Sequence, residues 1–341
     1  MKDKNYLQWL AEDTDTIWWH DSADKQLMQA AIENGAVGMT TNPFLMASAL
    51  YADRTGWADI TSGIELFSGN AKAFELEERV GGYYCRVLED EWKKGVEGNG
   101  GVCAQTNPCI PGNAKLMIEQ MKKLAGIAPN IFIKLPATKA GIQAFEEGIA
   151  LGYNMVATVS FTVPQAVEVA KAHLRGIDKA RANNITPGTG VAVNMIGRLD
   201  DYIRDVVADG GLGIDESDII QAGLACAKKT YAIFQERGYP TIFMTAAGRG
   251  IYHVTELAGA NIIMSISPAI EKQLLEASPS KTEKISAPIE PDVLVRLLTI
   301  REFAKAYNED GMAADEFITY GPTNRTLTQF VESGWNKLVN F

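Results

Sequence analysis

A closed (β/α)8 barrel, the TIM-barrel architecture, with additional C-terminal helices is the fold this sequence predicts, and three observations predict it. Eight short β-rich runs recur along the chain, helix-like sequence follows most of them, and several runs are apolar on both alternating faces. Strands covered by helices on one side and by a packed interior on the other need apolar residues on both faces. Eight alternating units favour a closed barrel over an open doubly wound sheet. The chain of 341 residues therefore reads as a single barrel domain over 1–341, with strands from about 16 to 267 and a helical extension over about 290–341 packing on the barrel.

In order, the runs are TIWWH (16–20), VGMTTN (37–42), GVCAQ (101–105), IFIKLP (131–136), NMVATV (154–159), GVAVNM (190–195), TIFMTA (241–246) and NIIMSIS (261–267). KQLMQAAIENG, NAKLMIEQMKKLAG, KAGIQAFEEGIALG and VPQAVEVAKAHLRGI have helical spacing, and several end at glycine. Before the seventh run, DESDIIQAGLACAKKTYAIFQERG opens with an Asp or Ser suited to cap an acidic first turn. The long 42–101 segment predicts several helices rather than a separate domain. After the eighth run, a polar, proline-bearing connection leads to helices around VLVRLLTIREFAKAYNEDG and TNRTLTQFVESGWNKLVNF, which are expected to pack on the barrel and reach its active face.

Composition narrows the function. A hydrophobic fraction of 46% with 22% charged residues is that of an ordinary globular protein, not a disordered one. Lys+Arg 32 against Asp+Glu 42 gives a net charge of -10, which works against a large nucleic-acid or anionic-membrane surface and leaves room for a local basic pocket. The four cysteines lack CxxC spacing and three histidines complete no zinc pattern, so no metal is expected. The N-terminal MKDKNYLQWLAEDTD lacks a signal-peptide core, and no segment reaches membrane-spanning length free of charges. A cytoplasmic protein with reduced thiols is the expectation.

Lys134, inside the apolar run IFIKLP, asks for an explanation, because lysine is almost never fully buried without a partner. Alternation puts it on the face of Phe132, and if that face points into the barrel, the amine lies near the axis. A desolvated ammonium is disfavoured, and a neutral amine can attack a carbonyl to form a Schiff base. An ion-paired structural lysine near a strand end is the other reading. Asp21, Asp24, Asn42, Gln105 and Thr158 also lie on or just after strands, where barrel enzymes assemble their sites. Asp21 is the chosen acid/base partner. Each has a duller reading: Asp21 or Asp24 as a helix cap, Asn42 in a turn with Pro43, Thr158 as interior filling. Arg198 and Arg249, after the sixth and seventh runs, suit a phosphate or sulfonate, with the Gly250 turn offering backbone donors, or else surface ion pairs. No GxxxxGK[ST] loop occurs, His20 and His253 are too isolated to argue metal binding, and His173 reads as surface or lightly packed.

The pieces DSAD (21–24), MTTNP (39–43), IFIKLPAT (131–138), GYNMVATVSFT (152–162), MIGRLDD (195–201), MTAAGRG (244–250) and ELAGANIIMSISP (256–268) resemble, in order, the transaldolase family. The resemblance covers roughly residues 15 to 270 and implies a barrel related to the class I aldolases, no metal or organic cofactor, and transfer of a three-carbon dihydroxyacetone unit through a lysine Schiff base. It places Lys134 on the Schiff-base lysine, Asp21 on the acid/base aspartate and Thr40 with Asn42 on the strand-two pair. Thr158 falls on the threonine associated with the catalytic water, and Arg198 and Arg249 on the substrate-phosphate arginines.

The departures are informative. Gln105 stands where a proton-relay glutamate is expected, as in the fructose 6-phosphate aldolase branch, and an amide can hold water but cannot carry a proton through a charged form. Val156 replaces an asparagine, Val193 a serine, Ala247 a second serine, and Met195 an aromatic residue. Asn194 or Asn154 would replace the lost donors only with a shift of strand register. The catalytic centre thus survives better than the groups that read substrate hydroxyls. The expected function is transaldolase-like transfer from a ketose phosphate or sulfonated ketose to an aldehyde acceptor. Direct aldol cleavage and a non-catalytic sugar-phosphate-binding homologue are the alternatives. The tail helices and the aromatic C-terminus offer packing surfaces for a possible homo-oligomer.

Overall fold

The computed structural model describes residues 4–341. Its eight strands are β1 Ile17–Asp21, β2 Gly38–Thr40, β3 Val102–Gln105, β4 Ile131–Pro136, β5 Met155–Thr158, β6 Gly190–Met195, β7 Ile242–Ala246 and β8 Ile263–Ile266. All neighbours pair in parallel, and β8 pairs back onto β1, closing the barrel.

The interior fills from the bottom. Trp19 and Phe132, both buried, meet edge to face with ring centroids 5.3 Å apart, and Trp19 Nε1 donates to Gly98 O at 2.8 Å. Two neighbouring positions must be glycine to admit the indole: a Cβ on Gly38 would lie 2.4 Å from its ring, as would one on Gly101. Two residues further along the same faces stand Asp21 on β1, Thr40 on β2 and Lys134 on β4, since side chains on a strand alternate with a period of two. The aromatic floor therefore confines polar interior groups to the C-terminal ends of the strands.

The segment between β2 and β3 holds several helices, principally Pro43–Ala52 and Gly69–Val87. The DESDIIQ region splits into Glu216–Ile219 and Ala222–Arg237. Asp215 sits at the first N-cap but makes no side-chain cap bond. The second helix is capped across space, Gly223 N donating to Asp200 Oδ1 at 2.7 Å. After β8 the chain forms helices Pro291–Leu298, Arg301–Tyr307 and Gly321–Phe330, then a π turn, Val331–Trp335, and a final turn, Asn336–Val339. Gly334 in the π turn presses on the start of Pro43–Ala52, where a Cβ would lie 2.6 Å from Phe44 N. Trp335 Nε1 donates to Asn70 Oδ1 at 2.8 Å. The tail is thereby fastened near the C-terminal mouth of the barrel.

His173 corrects the expectation of a surface residue: it is 3% exposed, 2.9 Å from Thr241 Oγ1 through Nδ1 and 3.4 Å from Gly188 O through Nε2. Nε2 donates to the carbonyl, so Nδ1 accepts from the hydroxyl, tying Val163–Ala182 to the starts of β6 and β7. A Cβ on Gly190 would strike the imidazole at 2.7 Å. Burial pushes the imidazole down to about 4, and the bond to Gly188 opposes it only in part. With the folded value below that of the unfolded chain, this group's stabilisation is full above about pH 6.5 and is lost as pH falls towards 4. Urea unfolding of His173→Gln should therefore show an acid loss between those values smaller than the native protein's by on the order of 2 kcal/mol; equal losses would mean the imidazole takes no part.

Candidate active site

A cavity of about 180 Å³ opens at the C-terminal end of the barrel. Asp21, Thr40, Asn42, Lys134, Thr158, Met195, Arg198 and Arg249 line it, so these sequence candidates come together. Lys134 is 7% exposed, and its Nζ donates to Thr41 O at 3.1 Å. Among the described residues no carboxylate lies within ion-pair distance of it.

The caps resolve the duller readings. Asp24 caps Lys25–Glu33 through Gln26 N at 2.8 Å, which leaves Asp21 free of that duty. Asn42 does cap Pro43–Ala52, its Oδ1 accepting from Phe44 N and Leu45 N, each at 3.0 Å. Its Nδ2 is left as the donor available to the cavity. Asp21 Oδ1 accepts from Thr40 Oγ1 at 2.7 Å, and Ser265 Oγ lies 2.6 Å from the same threonine oxygen. Because Thr40 gives its proton to the carboxylate, Ser265 donates to Thr40, and the three strands share one oriented chain.

Three candidates do not join the cavity. Asn194 sits between Val193 and Met195, which line it, so alternation turns the amide outwards. There its Nδ2 meets Thr230 Oγ1 at 3.3 Å, and the residue is wholly buried. The register is unshifted, and Asn194 is placed away from a substrate. Asn154 lies at the opposite end, its Nδ2 on Pro129 O at 3.0 Å and its Oδ1 accepting from Thr189 N at 3.3 Å. Gln105 is opposite Lys134 in register and 2% exposed, but it lies outside the cavity lining.

At the rim, Arg198 Nη2 donates to Gln329 Oε1 at 2.6 Å, and the guanidinium lies 5.7 Å from the Phe330 ring. Burial, aided by the charge of Arg249, lowers Arg198 to about 10, so it stays cationic at neutral pH. Arg249 is more exposed. Its Nε and Nη2 both reach Asp201 Oδ2, at 2.9 and 2.8 Å, and its Nη1 donates to Ala247 O at 2.8 Å. Ala247 holds a left-handed φ of 57° in this turn, and Arg249 N donates to His253 Nδ1 at 2.9 Å. His253 Nε2 faces Asp200 Oδ2 at 2.9 Å, so His253 and Asp200 support the arginine loop. Among the described residues no cluster of three or more potential ligands suits a metal ion.

Sequence reasoning missed three neighbours. Ser265 carried a signal, since it shares the inward face of β8 with Ile263. Phe330 comes from the tail and carried none. Glu77, on Gly69–Val87, is fully buried behind β3, with Oε2 accepting from Gln105 N at 3.3 Å. Burial raises its carboxyl to about 8, against the opposing pull of the Gln105 N–H and the Lys134 charge.

The family model described as Transaldolase/Fructose-6-phosphate aldolase matches residues 18–332. The chain belongs to this family. Among curated proteins, it is 29% identical over 234 residues to "Transaldolase" of Mycobacterium tuberculosis (strain ATCC 25618 / H37Rv), covering 65% of this chain and 62% of that protein. It is 25% identical over 280 residues to "Transaldolase" of Thiobacillus denitrificans, covering 76% of each. The chain thus spans about three fifths of the length of the mycobacterial relatives. As a member of the transaldolase/fructose-6-phosphate aldolase family it has the barrel expected of the resemblance, and no helix among the described residues is long and apolar enough to cross a membrane.

The Glu77 carboxyl gives a second pH signature. Its folded value lies above the ordinary 4.5, so its stabilisation is full below that pH and is lost as pH rises through about 8. Between pH 5 and 8, the unfolding free energy of Glu77→Gln should fall less steeply than that of the native protein; parallel slopes would show the carboxyl ionising without penalty.

Proposed function

We propose that this protein transfers a three-carbon dihydroxyacetone unit from a ketose phosphate or sulfonated ketose to an aldehyde acceptor through a Schiff base on Lys134. The observation that carries the reading is the convergence of a nearly buried amine, Lys134, with the carboxylate of Asp21 and two arginines in one cavity. The unprotonated amine attacks the ketone carbonyl, and loss of water leaves an iminium. Electrons of the adjacent carbon-carbon bond flow into it as Asp21 takes the proton of the β-hydroxyl, releasing an aldehyde and leaving an enamine. The enamine adds to the acceptor aldehyde, Asp21 returns the proton to the new alkoxide, and water hydrolyses the iminium.

Thr40 and Ser265 orient Asp21 for both proton transfers. Thr158 and Gln105 are assigned to water, and Asn42 to a substrate oxygen. Arg198 receives the anionic end of the substrate, joined by Arg249 when the anion draws it from Asp201. Val193, Met195, Met244 and Ala246 form an apolar wall, which favours a substrate presenting few hydroxyls on that side. No cofactor is assigned, and the setting proposed is the reducing cytoplasm. A second reading, direct aldol cleavage of a ketose phosphate, is favoured by one feature, the amide rather than a carboxylate at position 105.

Intact-protein mass spectrometry after borohydride reduction, across phosphorylated and sulfonated ketoses, tests this. A three-carbon adduct on Lys134 that declines when acceptor aldehyde is added, and is absent in Lys134→Ala, is the expected result. An adduct indifferent to acceptor supports cleavage, and no adduct with any ketose would overturn the Schiff-base reading. Asp21→Asn should still form the initial iminium while lowering turnover by about 10²–10⁴-fold, read as product formation by chromatography.

A further inference from the structure

The seam between β2 and β3 has the fewest paired residues in the barrel, a single register pair, Met39↔Val102. Strand β2 ends at Thr40, so the main chain of β3 beyond it lacks a strand neighbour on that side. Two side chains occupy this seam. From the interior, Lys134 Nζ reaches past β3 to Thr41 O, the first carbonyl beyond β2. From behind the wall, Glu77 Oε2 takes the N–H of Gln105, the residue opposite Lys134 in register.

Glu77 is wholly buried, and its Oε1 has no partner among the described residues. A carboxyl in such a place is costly unless a charge answers it. Lys134 on β4 is the charge that acts on it, and Cys103 on β3 is the other titratable group beside it. Burial raises the Cys103 thiol to about 12, so it stays neutral. Tyr51, Asp59, Glu65, Lys337 and the acids of Glu89–Trp92 belong to the other elements packed on this helix.

We propose that Glu77 is a positioning residue for Lys134: from behind the barrel wall its carboxylate is the buried counter-charge that governs release of the ammonium proton and steadies the cationic iminium. The iminium half of this rests on the Schiff-base reading of Lys134. When Glu77 is ionised, it favours either cationic state of the lysine nitrogen; when it is protonated, the free amine is favoured and attack on a carbonyl is easier.

Competitive acetylation of Lys134 with acetic anhydride, followed by peptide mass spectrometry across pH, reads the amine directly and needs no substrate. In Glu77→Gln, which keeps an acceptor for the Gln105 N–H, the labelling midpoint of Lys134 should fall by about one pH unit, equivalent to about tenfold faster labelling at a fixed pH below it. Glu77→Asp, which keeps the charge, should stay nearer the native midpoint. Superimposable native and Glu77→Gln profiles would overturn the proposal. Borohydride trapping with dihydroxyacetone runs beside it: a shifted midpoint without any adduct in the native protein sinks the Schiff-base reading and leaves the electrostatic link standing. If Glu77→Gln does not fold, Lys134→Met reads the link from the other side. Loss of the cation should raise the pH at which the Glu77 carboxyl C=O stretch disappears in the infrared, and an unchanged titration would contradict the proposal.

Discussion

The contact of Trp19 with Phe132 across the lower barrel is the constraint on which the rest depends. Those rings fill the space there, and Gly38 and Gly101 withdraw their side chains to let them do so. Polar groups on the same strand faces can then exist only above the rings. Asp21 stands two residues after Trp19, and Lys134 two after Phe132, so the strand period that seats the floor also raises the amine and the carboxylate to the mouth. The same argument turns Asn194 away, one residue out of phase with its lining neighbours.

Above the floor, charge is arranged in two layers. Asp200 and Asp201 are adjacent in sequence but serve opposite directions. Asp200 points into the fold, holding Gly223 N and facing His253, which in turn holds Arg249 N. Asp201 points to the rim and binds the Arg249 guanidinium. The backbone of the arginine loop is thus fixed, while its side chain is held by an exchangeable pair. Arg198 depends instead on the tail, through Gln329 and Phe330, so the C-terminal helices belong to the site as well as to the packing.

Much of this was legible in the sequence because it follows from short-range rules. The strand runs, the inward lysine and the residues after each strand follow from alternation and from the habit of barrels to build sites at one end. The tail's approach to the mouth was legible in outline, but Phe330 was not, because no local pattern says which tail residue crosses the barrel. His173 was misplaced because a histidine in a helix gives no sign of a threonine 68 residues later that will hold its ring. Glu77 was hidden in a helix that also carries Glu75 and Glu78, both only partly buried; packing against the β2–β3 seam sets it apart. Asn42 shows the opposite limit, where the residue that caps a helix also lines the cavity.

The account's central claim is that the amine above the aromatic floor bonds covalently to a substrate whose anionic end rests on the arginines. The most direct measurement is a crystal structure of the protein reduced with borohydride in the presence of a ketose phosphate that yields an adduct by mass. The account predicts continuous electron density from Lys134 Nζ to a substrate carbon, a substrate hydroxyl at hydrogen-bonding distance from Asp21, and the phosphate, where the intact ketose is trapped, against Arg198. Density that leaves Lys134 unmodified, with the sugar attached to another lysine, would contradict it.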